Sequence, residues 1–319
     1  MRSKFNFIYI FIVYLMILII GLFGNKFNES LNIYSESINL LFPKYAGVNK
    51  SIPRNFCHLN INSKILQPFD ICYLKSSGDK ENFIGLYGDS NAWQYASAIG
   101  LENERNYDFE ALTFGSCFFW NNYVATAIDF KGKCQNYIKD VIPNRLSIYR
   151  QNYDQVNIII SSDWWGHIYK SNIKKSDKDE LILIKNSSEF KNYVQNDFYE
   201  IKENKNLIDK LIIIGPGPKT GFESIKCIEN PKNSKCEFAN QNFHLEGSRE
   251  ILNLLNLHPF TKISKEIILI DPMSIICNED ISGEIKCPLF INKNLIFSDG
   301  THLSHWGAKL VISKVKENL

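Results

Sequence analysis

Polar and apolar positions divide the chain into three regimes. Residues 5–24, FNFIYIFIVYLMILIIGLFG, are nearly all apolar, with Asn6 the only strongly polar side chain. Residues 25–55 are polar and mixed, and read as a stalk. From residue 56 onward, short apolar runs alternate with longer mixed stretches. The runs 83-FIGLYG-88, 109-FEALTF-114, 156-VNIIIS-161, 211-LIIIG-215 and 266-EIILID-271 are rich in β-branched and aromatic residues. Each stops at or just before Gly, Ser or Asp, which predicts strands. The intervening stretches around 91–101, 135–152, 187–206 and 245–256 are long enough for helices, and a last helix is predicted from Ser304 to about Glu317.

Apolar strands alternating with helices predict an α/β fold whose mostly parallel sheet is covered on both faces. Sheets of this kind carry their sites beyond the carboxyl ends of the strands. Asp89-Ser90, Gly115, Asp163 and Gly215-Pro216 would all fall there. The charge run 170-KSNIKKSDKDE-180 reads as a solvated insertion, and 227–244, with two cysteines, as a disulfide-pinned loop.

The first segment sets the compartment. About 20 apolar residues rising about 1.5 Å each span a bilayer core. Arg2 and Lys4 precede the run, which directs the N-terminus to the cytoplasm and residues 25–319 to the other side. The run is long for a signal peptide and no Ala-x-Ala-like site follows it, so an uncleaved single-pass anchor is expected, with a cleaved signal as the rival. A third reading makes residues 5–23 the last span of a longer multi-span protein. The expected domains are an anchor at 1–24, a stalk at 25–55 and a catalytic domain at 56–319.

Composition narrows the partners. Against 34 acidic residues stand 36 basic ones, a net charge of +2 that gives no reason to expect nucleic acid. The eight cysteines lie at 57, 72, 117, 134, 227, 236, 277 and 287, with no Cys-x-x-Cys among them. A zinc ribbon or thioredoxin-type site is therefore not expected. An even number beyond a membrane anchor points to disulfides. Neighbour pairing (Cys57–Cys72, Cys117–Cys134, Cys227–Cys236, Cys277–Cys287) is the simplest connectivity, and buried free thiols are the alternative. Lys219, after 215-GPGP-218, has no phosphate-loop pattern around it. No metal or other cofactor is expected.

The chemistry lies in two distant stretches. In 83-FIGLYGDSNAWQYASAIG-100 a strand stops at Gly-Asp-Ser and turns into a helix, which presents Ser90 at the top of the sheet. A serine hydroxyl needs a base, usually a histidine held by a carboxylate. Near the other end, 297-FSDGTHLSHWGAKLV-311 supplies Asp299 three residues before His302. The bland reading of Ser90 is a helix cap, and Asp89 is expected to cap or brace the turn. His305 is expected on an exposed or supporting helix face, and as a spare base. Trp164 and Trp165 are candidates for stacking on a sugar ring, against the default of core packing.

Together, 86-LYGDSNAWQY-95 and 298-SDGTHLSHWGA-308 resemble the SGNH hydrolase superfamily, and in particular the SGNH domains attached to acyltransferase-3 membrane proteins. The stretches 113-TFGSCFFW-120, 156-VNIIISSDWW-165, 212-IIIGPGP-218 and 271-DPMSIICNE-279 fit in order, so the resemblance covers roughly residues 55–319. It implies a flavodoxin-like three-layer α/β/α fold and a triad of Ser90, His302 and Asp299. The backbone N–H of Ser90 and, from a looser match, Gly115 are the implied oxyanion donors. The implied work is acyl transfer or ester hydrolysis on O-acetyl groups of cell-envelope polysaccharide, at the periplasmic face of a bacterial inner membrane. A separate multi-span acyltransferase would then supply acetyl groups, because this chain has one candidate span. Two departures stand out. Asn91 replaces a frequent histidine, and 161-SSDW-164 stands where the superfamily has Gly-x-Asn-Asp, so Asp163 is a poor oxyanion donor unless protonated. The competing class is a non-catalytic, disulfide-braced SGNH-like glycan-binding or scaffold module.

Overall fold

The structure is a computed structural model. It describes residues 58–59, 73–75, 81–101, 107–115, 123–125, 141–164, 173–177, 180–183, 207–220, 238–240, 248–249, 251–253, 255, 266–292 and 294–319. All of them belong to one compact unit, Leu41–Leu319. The expected anchor and stalk, the expected helix at 187–206 and three of the four expected disulfides lie outside the described residues. Among the described residues, no helix is long and apolar enough to cross a membrane.

In chain order the elements begin with β1 (His58–Leu59), β2 (Tyr73–Lys75), β3 (Asn82–Gly88), α1 (Ser90–Leu101), β4 (Asp108–Phe114) and β5 (Tyr123–Ala125). Then come α2 (Ile142–Asn152), β6 (Gln155–Ser161), β7 (Ile173–Asp177), β8 (Glu180–Leu183), β9 (Lys210–Ile214) and β10 (Phe238–Asn240). The last third holds β11 (Glu266–Ile270), α3 (Pro272–Ile276), β12 (Asn278–Glu279), β13 (Ile285–Pro288), β14 (Phe290–Ile291), β15 (Asn294–Leu295) and α4 (His305–Lys316).

The main sheet runs β1-β4-β3-β6-β9-β11 with every neighbouring pair parallel, and β2 joins β4 antiparallel. Strands β3, β4, β6 and β9 are buried over almost their whole length. That is why they read as continuous apolar runs rather than alternating ones. Register sets their ends flush: Gly88 pairs with Thr113 and Ser161, Ser161 with Ile214, and Ile214 with Ile270. The residues that follow these strands therefore emerge along one edge.

Helices cover both faces. On one, the Phe83 ring stacks on Tyr149 of α2 at 3.8 Å between centroids. Also under α2, fully buried Arg145 donates to both carboxylate oxygens of Glu110, at 2.6 and 2.8 Å. Burial, with the Glu110 charge adding to it, pushes the nearby Tyr87 phenol well above its ordinary value, against the pull of Arg145. On the other face α1 and α4 pack together. Leu303 N–H, just before α4, donates to Gln94 at 2.6 Å, and His305 Nδ1 lies 3.1 Å from Ser97 Oγ.

Two stretches gain structure that the sequence did not predict. The charge run 170–180 contains all of β7 and the first residue of β8, which pair antiparallel and join β5 in a three-stranded sheet. Backbone pairing does not depend on side-chain polarity, so a charged run can still be a strand. In the stretch read as a disulfide-pinned loop, β10 pairs with β13. The fourth expected disulfide, Cys277–Cys287, is formed and ties the end of α3 to β13.

Candidate active site

The corner between β3 and α1 is built on Gly88. Its φ is +140°, a conformation that side-chain-bearing residues rarely adopt. A Cβ there would lie 1.7 Å from the Ser161 carbonyl oxygen. Asp89 follows as the helix cap. Its carbonyl accepts from the N–H groups of Ala92 and Trp93, and its buried carboxylate accepts from Asn91 N–H at 2.7 Å. The second carboxylate oxygen accepts from Ser162 Oγ–H and Asp163 N–H, both at 2.9 Å, tying the corner to the end of β6. The capping role thus falls to Asp89. Ser90 is left at the first helical position, partly exposed, with its N–H among the donors that have no intrahelical acceptor.

The opposing loop is closed on itself. Phe297 and Leu303 form an antiparallel bridge, Ser298 N–H donates to the His302 carbonyl, and Ser304 N–H donates to the Ile296 carbonyl. Inside it the Asp299 carboxylate accepts from Thr301 N–H at 2.7 Å and His302 N–H at 2.8 Å. His302 Nδ1 lies 2.8 Å from Asp299 Oδ2. The carboxylate accepts only, so Nδ1 carries the proton, and Nε2 faces Ser90 Oγ at 3.0 Å as the acceptor. Burial pushes the Asp299 carboxyl up. The His302 hydrogen bond and charge, with the backbone donors of Thr301 and His302, outweigh it and hold the carboxyl well below the usual carboxylate range.

Serine, imidazole and carboxylate in this order make the arrangement of a nucleophile, its base and the group that orients the base. The model of the SGNH domain fused to AT3 domains matches residues 56–317 of this chain. The chain belongs to that family. Among solved structures, the SGNH fold here is similar to the periplasmic domain of a lipopolysaccharide acetyltransferase from Salmonella ser. Paratyphi A, with a TM-score of 0.54 and 14% identity over 88% of this chain and 96% of that one. No curated protein matches.

Other expected residues of the SGNH domain divide. Gly115 follows β4 at the same sheet edge as Ser90. Trp164 does not present a face to a sugar: it is fully buried and its indole N–H donates to the Ile214 carbonyl at 2.8 Å, so it belongs to the core. Trp165 lies outside the described residues. His305 is buried against Ser97 rather than exposed. Two partners escaped the sequence reading. Lys219 Nζ lies 2.5 Å from Asp163 Oδ1, and Thr220 Oγ1 donates to the Asp299 carbonyl at 3.3 Å. Their position just past the end of β9 was the available signal, since that is the functional edge of the sheet.

Proposed function

We propose that this SGNH domain is a serine acyltransferase or esterase acting on O-acetyl groups of cell-envelope polysaccharide. The observation that carries the reading is the hydrogen-bonded chain from Ser90 through His302 to Asp299. Ser90 Oγ attacks the acyl carbonyl carbon while its proton passes to His302 Nε2. The tetrahedral oxyanion faces the Ser90 N–H, with Gly115 as the second donor. Each well-placed donor is worth about 3–4 kcal/mol of barrier. Collapse breaks the bond to the leaving alkoxide, which takes the proton from Nε2 and leaves an acyl-serine. Water or a sugar hydroxyl then gives its proton to Nε2 and attacks the acyl carbon; the bond to Ser90 Oγ breaks and Oγ takes the proton back from Nε2, restoring Ser90. Asp299 stays ionised throughout and stabilises the imidazolium.

Residues 5–24 would anchor the chain in a bacterial inner membrane with the domain on the periplasmic side, in keeping with the periplasmic domain it resembles. As a transferase it would receive acetyl groups from a separate multi-span membrane acyltransferase. The test is the full-length protein with an aryl acetate, with and without an oligosaccharide acceptor. Acceptor-dependent acetyl-sugar identifies the transferase, and acetate release alone the esterase. Turnover that survives Ser90→Ala overturns both, whereas glycan binding with neither turnover nor fluorophosphonate labelling of Ser90 leaves the non-catalytic glycan-binding or scaffold module.

A further inference from the structure

The two halves of the triad come from chain segments 212 residues apart, so something must hold them in register. The partners past β6 and β9 do this in an unbroken line. Asp89, next to Ser90, accepts from Asp163 N–H at 2.9 Å. The Asp163 carboxylate holds the mostly buried Lys219 ammonium at 2.5 Å. Thr220, the next residue, donates from its hydroxyl to the Asp299 carbonyl at 3.3 Å. With the Ser90–His302–Asp299 bonds this line closes a ring around the mouth of the site.

We infer that Asp163, Lys219 and Thr220 form a positioning strap, which sets the distance between the Ser90 hydroxyl and the His302 imidazole. The inference rests on the acyl-serine reading above and adds residues to the same site. Neither lysine nor threonine needs to touch substrate. Their effect runs through Asp299, whose main chain is tied across the cleft to the strand ends that also carry the nucleophile corner. The strap also answers for the carboxylate at position 163, which would otherwise sit uncompensated beside a site where negative charge develops. Displacing a catalytic group by about 1 Å costs on the order of 100-fold in rate, so a loosened strap is read in turnover rather than in binding.

The experiment measures kcat and KM of the full chain with an aryl acetate, alongside the melting temperature, for Lys219→Met, Thr220→Val and the charge-exchanged pair Asp163→Lys/Lys219→Asp. Lys219→Met is expected to lower kcat by about 10- to 100-fold with KM within about threefold. Thr220→Val, which removes a single hydroxyl, moves kcat in the same direction by a smaller factor. The exchanged pair recovers most of the loss, because the tie is remade with its polarity reversed. Thr220→Val at wild-type kcat overturns the strap. So does an exchanged pair that melts like wild type yet turns over no faster than Lys219→Met, since the lysine charge would then act on the reacting atoms directly. Ser90→Ala runs in parallel. If it is inactive while Lys219→Met is normal, only the strap falls; if it is active, the acyl-serine reading falls with it.

Discussion

His302 Nε2 lies 3.0 Å from Ser90 Oγ, and the imidazole is held from behind by Asp299 at 2.8 Å. In the mechanism proposed above, the two side chains act as one catalytic unit. Ser90→Ala and His302→Ala are each expected to lower acyl transfer by several orders of magnitude, and the double variant by no more than the worse single one. Rates of aryl acetate turnover for the three proteins check this. Independent, multiplying losses would mean that the pair does not work as a unit.

Asp299 connects the site to pH. Its folded-state pKa is depressed, with the His302 bond and charge overcoming burial. A depressed carboxyl contributes stability that is fully present above its unfolded value, about 3.9, and is lost as pH falls through the folded value. The stability gap between wild type and Asp299→Asn is therefore expected to be widest above about pH 4 and to narrow as the pH is lowered further. Thermal melts of both proteins across this range measure it. A gap that widened in acid would contradict the assignment.

Gly88→Ala is expected to lose at least about 2–3 kcal/mol of stability, from forced φ and from collision with Ser161. The nucleophile corner would move with it. Urea unfolding together with turnover tests both effects, and a variant with unchanged midpoint would show that the corner relaxes freely.

The buried pair under α2 makes a different prediction. Arg145→Met leaves the Glu110 carboxylate in the core without the guanidinium that meets both its oxygens, and is expected to cost about 3–5 kcal/mol. Adding Glu110→Leu should return much of that, since an apolar pair of similar bulk removes the buried charge. Chemical denaturation of the single and double variants decides it.

Replacing both Cys277 and Cys287 by alanine opens a loop of sequence separation 10. The expected loss is about 2–3 kcal/mol from chain entropy. Because the bond ties α3 to β13 and not the triad loop to α1, kcat of the folded protein should hold while the melting temperature drops.

What could be read from residue order alone follows from physics. Strands β3, β4, β6 and β9 were legible because burial on both faces makes them uniformly apolar. Asp299 and His302 were legible because a carboxylate and the imidazole it orients fit within one tight turn. Strand β7 was hidden, since its mostly polar residues, IKKSD, satisfy an antiparallel ladder without an apolar signature. Lys219 meeting Asp163 was hidden for another reason. The two lie 56 residues apart, and only the adjacency of β6 and β9 brings them together. Trp164 followed the default of core packing over sugar stacking: an indole beside the functional edge can turn inward as readily as outward, and here its N–H found the Ile214 carbonyl.

The distance along the chain between the hydroxyl and the imidazole also orders events in time. During synthesis the Gly-Asp-Ser corner emerges long before the loop that carries His302. Until α4 docks on α1, the serine lacks the imidazole that the proposed mechanism uses as its base. On the proposed mechanism, a ribosome stalled early, or a protease that clips the last helix with its preceding loop, leaves a product still bearing the attacking group but unable to fire it.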